Sequence, residues 1–299
     1  MLQSEIPIWR SLLYVPANNE KFWSKAHQRR ADAIVLDLED SVPQKEKDQA
    51  RKNLENSIPH VAQNGADVLV RINRPLQMTV EDIAACVAAG ANGLMIAKTQ
   101  SADHVRLLSE YVRECELRSS RTANCVQFYL QIETASALMQ ADDIARSDPR
   151  VVGLAIGSED LAMDVEVVPS EDFLLYPKSH AILAAISANV IPYGLVGTVA
   201  DYKDLEHVRR LAQKSKRLGA KGATCVHPSV VPILNEVFTP SAEEISHAEK
   251  VVAANEAAEA QGLGAFELDG KMIDVPIVDR ARKLLAFARK LATQTNTEL

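Results

Sequence analysis

Between residues 11 and 228 a short apolar run, rich in Val, Ile and Leu, recurs eight times, each followed by turn residues and a longer segment with helical spacing. No other feature narrows the fold as much. Strands that recur with a helix between them run parallel, because the crossover returns the chain to the same edge of the sheet. The runs fall at residues 11–15, 33–40, 67–73, 94–97, 126–134, 151–157, 190–196 and 222–226. Units of roughly 30 residues in this alternation predict an α/β chain of the (β/α)8 TIM-barrel class over residues 1–240. The competing arrangement is a doubly wound open sheet. The GxGxxG turn that marks its dinucleotide-binding form does not follow the first strand. Residues 241–299 read as a C-terminal helix and lid extension rather than an independent domain, with a Gly-hinged stretch at 262–270 and a last helix from about 275 to 291.

Local signals place the helix starts. Asn18 or Asn19, Thr79, Ser101, Thr134, and Asp201 or Asp204 are the expected caps, since their short polar side chains accept from the first free amides. Pro43 is expected near the start of the second helix, where proline is tolerated. The later helix near Pro177 is expected to run to Ala188.

A hydrophobic content of 47% suffices for a full core. A net charge of −7 argues against a nucleic-acid partner. It leaves room for an anionic small ligand held by local cations or a metal. No apolar run reaches membrane-spanning length, and residues 1–10 contain no apolar leader core. Cys86, Cys115, Cys125 and Cys225 form no CxxC pair and read as reduced thiols. The expected location is cytoplasmic.

Chemistry concentrates at the carboxyl ends of the strands. Residues 126–132 are apolar and aromatic apart from two glutamines, and Glu133 follows at once. A carboxylate at the end of a core strand is costly unless something pairs with it or binds it. The other strand ends carry Asp37, Glu39 and Asp40; Arg71 and Asn73; Lys98; Asp160; and His227. In alternating β/α chains these ends share one mouth. Two carboxylates without His or Cys companions suit a hard divalent cation, so Glu133 and Asp160 are expected to ligate Mg2+, with Mn2+ the other candidate. Arg71 is suited to clamp a substrate carboxylate or oxyanion. Lys98 would contact substrate or pair with a neighbouring acid. His227 reads as a structural hydrogen-bonder or a base. The cations at 209–217 read as a solvated helix face.

These residues carry a resemblance. The stretches 10–17 (RSLLYVPA), 36–43 (LDLEDSVP), 70–73 (VRIN), 131–134 (QIET), 157–161 (GSEDL) and 270–276 (GKMIDVP) resemble, in order and spacing, the citrate lyase β-subunit-like CoA-ester lyases of the HpcH/HpaI aldolase superfamily. Malyl-CoA and citramalyl-CoA lyases belong to that group. The resemblance implies a Mg2+-dependent carbon–carbon lyase assembled as a homotrimer or hexamer. It would cleave a 3-hydroxyacyl-CoA of citryl, malyl or citramalyl type into an acyl-CoA and a 2-oxoacid. Coenzyme A would enter as part of the substrate. The resemblance supports Glu133 and Asp160 as metal ligands and Arg71 as the clamp. It makes Asp37 and Glu39 the acids that orient Arg71 or metal-bound water, and Asp274, on the lid, the acid/base at the acyl α-carbon. Arg10 would contact a CoA phosphate or form a salt bridge at the opposite end of the barrel. Departures fall in Ala97-Lys98, Val196-Gly197-Thr198, Asp164-Val165-Glu166 and the residues after His227-Pro228. All are on loops that choose substrate, so two other activities stay open: a metal-dependent aldolase on free hydroxy-oxoacids, and a weakly active subunit of a citrate lyase-like complex.

Overall fold

The computed structural model describes residues 8–198 and 202–296. The main sheet has eight strands: β1 (Ser11–Pro16), β2 (Ala33–Asp37), β3 (Asp67–Ile72), β4 (Gly93–Ile96), β5 (Gln127–Ile132), β6 (Val151–Ile156), β7 (Ile191–Pro192) and β8 (Ala223–Cys225). They form one parallel sheet in the order β7-β6-β5-β4-β3-β2-β1-β8. Its two terminal strands are linked by flanking backbone: Lys221 N donates to Pro192 O and Gly194 N to Gly222 O, each at 2.9 Å.

A parallel sheet must bury both faces, and strand alternation sorts the side chains accordingly. On one face Ile34, Leu36, Val68, Val70, Leu94, Phe128, Leu130, Leu154 and Ile156 join the large core packed with the helices. The other face carries a smaller cluster that includes Trp9, Leu12, Val35, Leu69, Met95, Tyr129 and Tyr193. The same period of two extends that second face into the site. Val35 is followed by Asp37, Leu69 by Arg71, and Tyr129 by Gln131 and Glu133. Asp37 stands opposite Arg71 in the strand register.

The helices are α1 (Glu20–Trp23), α2 (Lys47–Val61), α3 (Leu76–Ala88), α4 (Ala102–Arg118), α5 (Ala135–Leu138), α6 (Ala141–Ala145), α7 (Ser158–Asp164), α8 (Glu171–Ser187), α9 (Leu205–Leu218) and α10 (Val231–Phe238). Asn19, Ser101, Thr134 and Asp204 cap as expected, each side chain accepting a backbone amide. Asp201 lies outside the described residues. Thr79 does not cap α3. That helix begins at Leu76 behind Pro75, and the Thr79 hydroxyl turns back to the Asn73 carbonyl. The helix after Glu133 is broken into α5 and α6. α8 starts six residues before Pro177, because Ser170 accepts from Phe173 N and opens it early. The seventh strand, two residues long, is shorter than its apolar run at 190–196, which is interrupted by Gly194 at φ +126°.

The chain divides into two compact units between Phe238 and Thr239. In the second, α11 (Ala242–Glu259) opens on a reciprocal Ser241–Glu244 capping box. A hairpin of β9 (Phe266–Leu268) and β10 (Lys271–Ile273) turns through Asp269 and Gly270, both at positive φ, as a two-residue turn requires. The Gly-hinged stretch is thus a folded hairpin. α12 (Val275–Asn296) follows. Ala248, Val251, Ile273, Val278 and Ala281 give this unit a core of its own.

Candidate active site

The carboxyl ends of β2, β3, β5 and β6 bring charged groups to a cavity of about 360 Å³, with Asp37, Arg71, Glu133 and Asp160 among its lining residues. Arg71 is anchored by two parallel bonds: Nε to Asp37 Oδ1 and Nη2 to Asp37 Oδ2, each at 2.7 Å. Its Nη1 lies 3.0 Å from Glu39 Oε2, and its guanidinium stacks 4.9 Å over the Tyr14 ring. Asp37 also accepts from the amides of Glu39 and Ser41. Lys98, whose backbone is left-handed at φ +52°, donates to Glu39 Oε1 at 2.5 Å and lies 3.9 Å from Asp160.

The electrostatics divide these acids. Burial works to raise the Asp37 carboxyl, but the Arg71 hydrogen bonds and charge hold it below the usual range. Glu39 is pushed up by burial, against the pull of Arg71 and Lys98. Burial acts to discharge Lys98 and Arg71, yet their carboxylate partners hold both above their ordinary values. Glu133 is raised too, and unlike Glu39 it forms no ion pair among the described residues. It is 4% exposed, and its Oε2 has no hydrogen-bond partner. Burial, then the charges of Asp160 and Glu39, push its carboxyl up to about 8.

The space beside Glu133 is kept by Gly157, where a Cβ would come within 2.5 Å of Glu133 Cγ. Glu133 therefore has an unused oxygen, reserved room, and Asp160, in the first turn of α7 after the next strand, as a second carboxylate source. An oxygen-only pair of this kind fits Mg2+ or Mn2+, which complete their shells with water and substrate oxygens. Among the described residues no group of three or more His, Cys, Asp or Glu is placed to share an ion. The donor set is thus unlike that of a structural zinc site.

The structure brings Asp37, Glu39, Arg71, Lys98, Glu133 and Asp160 together. Asp274 lies in the second unit, half-buried between β10 and α12. Of the two roles expected for Arg10, the salt bridge is present. Arg10 precedes β1 and pairs with Asp32, which precedes β2, at 2.7 Å. Both belong to the amino edge of a parallel sheet, so Arg10 is the salt bridge there. His227 accepts from Ser229 N, bonds the Ser229 hydroxyl and stacks on Tyr202.

Two features escaped sequence reasoning. A second cavity of about 400 Å³ is lined by Lys21, Lys25 and Arg29 together with Phe22, Val226 and His227. Tyr14, Pro16 and Val226 line both cavities. The three cations recur at intervals of four, a one-sided helical spacing that was visible in the sequence. The other is Lys178, which lines the first cavity from α8.

Residues 10–228 match the model of the HpcH/HpaI aldolase/citrate lyase family. The chain is 32% identical over 285 residues to citrate lyase subunit beta of Escherichia coli K12, covering 93% of each chain. The chain belongs to this family. It is also 31% identical over 286 residues to (3S)-malyl-CoA thioesterase of Cereibacter sphaeroides, covering 95% of this chain and 96% of that one. Among solved structures it resembles protein CitE of Mycobacterium tuberculosis in complex with magnesium, acetoacetate and coenzyme A. The TM-score is 0.74 at 25% identity, over 95% of this chain and 99% of that one. The family match spans every strand of the eight-stranded sheet and every mouth residue described above, and it ends before the second unit.

Proposed function

We propose that this protein is a Mg2+-dependent carbon–carbon lyase that cleaves a 3-hydroxyacyl-CoA into an acyl-CoA and a 2-oxoacid. The observation that carries the reading is Glu133: a buried carboxylate with one unpartnered oxygen, lining one cavity with Asp160 and with a guanidinium fixed by Asp37. The solved relative with magnesium, an oxoacid and coenzyme A supports it. The two linking hydrogen bonds between the β7 and β8 segments support a sheet closed into a TIM barrel. Residues 241–299 are assigned the role of a lid extension rather than an independent domain.

Glu133 and Asp160 would hold the cation, which supplies Lewis-acid polarisation of the substrate's hydroxyl and carboxylate oxygens when bound. Cleavage removes the hydroxyl proton, and the electron pair of the broken C–C bond passes to the acyl-CoA as an enolate. Asp274 is assigned the proton returned to that α-carbon. Arg71, pre-oriented by Asp37 and Glu39, needs no reorganisation to offset charge on the oxygen that becomes the oxoacid carbonyl. Lys98 offsets the charge of Glu39, so that Glu39 competes less for the Arg71 guanidinium. The second cavity suits the CoA end of the substrate. Its three cations form no ion pair among the described residues, and its apolar wall continues into the first cavity through Tyr14. Assembly as a homotrimer or hexamer follows from the family resemblance. Thiols that are free at all four cysteines support a reducing, cytoplasmic setting. Among the described residues no helix is long and apolar enough to cross a membrane.

The test is direct. Purified protein with Mg2+ is expected to convert citryl-, malyl- or citramalyl-CoA to an acyl-CoA and an oxoacid, with activity lost on chelation. Glu133→Gln and Asp160→Asn are expected to abolish both activity and Mg2+ binding measured by calorimetry. Cleavage of free hydroxy-oxoacids with none of any CoA ester overturns the reading.

A further inference from the structure

α8 sends one cation into the interior. Lys178 is 5% exposed, and its Nζ donates to the Ile156 carbonyl at 2.8 Å. Ile156 ends β6, where the ladder to β7 has run out. The last backbone bond across that gap is Tyr193 N to Leu154 O. The lysine side chain therefore lies beside the carboxyl ends of two strands, at the wall of the cavity that holds Arg71, Glu133 and Asp160.

An ammonium has three N–H groups to satisfy. Among the described residues Lys178 has one acceptor and no carboxylate partner. Arg71 and Lys98 differ, since each is held by acids. A buried cation without a counter-ion is costly, and burial alone pushes Lys178 down to about 7. The wall facing it is bare. A Cβ on Gly194 would lie 3.5 Å from Lys178 Nζ and would meet no residue but Lys178 within 4 Å. The fold thus sets an amine without a counter-ion against the cavity, where an incoming carboxylate would keep it protonated.

We propose that Lys178 determines specificity: its ammonium receives a second carboxylate on the 2-oxoacid half of the substrate, so the site selects a dicarboxylic 2-oxoacid over a monocarboxylic one. This rests on reading the cavity as an oxoacid site. A lysine that merely pinned the Ile156 carbonyl would need a donor and not a charge, which separates the two roles by experiment.

Dissociation constants for oxaloacetate and 2-oxobutyrate, four-carbon oxoacids that differ in a terminal carboxylate against a methyl, are measured by calorimetry at saturating Mg2+. Wild-type protein is expected to bind oxaloacetate about tenfold tighter or more. Lys178→Met and Lys178→Gln are both expected to weaken oxaloacetate by about 30-fold, leaving 2-oxobutyrate within about threefold. No preference in the wild type overturns the proposal. So does equal weakening of both ligands, or a Lys178→Gln protein that keeps the preference. Should Lys178→Met fail to fold, Lys178→Gln, which keeps a donor for Ile156, carries the comparison. A wild type that cleaves no CoA ester sinks the lyase reading and leaves this binding result standing. Cleavage with unchanged selectivity in Lys178→Gln sinks the role of Lys178 alone.

Discussion

Two buried glutamates stand near the two ends of β5, and the protein treats them in opposite ways. Glu116, on α4, meets the strand's amino end. Its oxygens take two 2.7 Å bonds from Arg150 and accept the amides of Asn124 and Val126. Glu133, just past the carboxyl end, has an oxygen with no partner at all. Burial works to raise both. At Glu116 the Arg150 bonds and backbone amides override it and bring the carboxyl down to about 2. At Glu133 burial and the neighbouring acids prevail, and it rises to about 8. Buried charge by itself therefore says little about function. What distinguishes a site from a structural pair is whether the protein finishes the hydrogen bonding.

The largest expected effect tests the finished end. Glu116→Ala leaves Arg150 as an unpaired cation in a fully buried position, which should cost about 3–5 kcal/mol in urea denaturation at pH 7. The same truncation at Glu133 removes a group without a partner and should cost far less. If the two losses are equal, the contrast between the ends of the strand fails.

A smaller effect sharpens the other end, and its sign follows from linkage. Glu133 has a folded-state value raised above its ordinary 4.5. Its contribution to stability is therefore fully present below about pH 4.5 and is lost as pH rises through about 8. Glu133→Gln has no carboxylate to ionise. In metal-free protein at pH 8 it should be more stable than wild type by about 1–2 kcal/mol, a figure reduced from the full shift for relaxation around the charge. The gain should vanish at pH 5, as read from melting temperatures at the two values. Glu116 has the reverse sign: its stabilisation is present above about pH 4.5 and fades as pH falls toward 2. A Glu133→Gln protein less stable than wild type at pH 8 would show that its carboxylate has a partner after all.

The same contrast explains what was legible in the sequence. The eight strands and their order could be read because each apolar run is continuous and each crossover helical. Asp37, Arg71 and Glu133 could be read because a period of two carries an apolar face outward to a charged tip. Partners could not be read. Arg10 and Asp32 meet at 2.7 Å from the starts of adjacent strands, a register the sequence does not number. Thr79 looked like a cap because it precedes a helical pattern, but Pro75 had already fixed the entry to α3. Lys178 was hidden by its setting. A lysine one residue after Pro177 looks like an exposed first turn, whereas the helix begins at Glu171 and turns that position inward. The hairpin at 266–273 is short, with three residues in each strand, too few for a period of two to stand out.

The smallest expected effect lies in the second cavity, which is lined by exposed cations instead of an unfinished buried acid. Lys25→Ala should raise KM for the CoA ester about threefold at low salt and leave kcat unchanged, because an exposed lysine contributes little and is screened. The increase should shrink toward unity near 0.5 M NaCl. The dissociation constant for oxaloacetate should not move, since Lys25 lines the second cavity and not the one around Glu133. Adding Lys21→Ala and Arg29→Ala should compound the KM effect, because these three cations flank one space. A triple variant with wild-type KM at low salt would detach this cavity from the substrate. Oxoacid binding weakened in step with KM would instead merge the two cavities into one electrostatic site, and the division between a finished surface and an unfinished core would have to be drawn elsewhere.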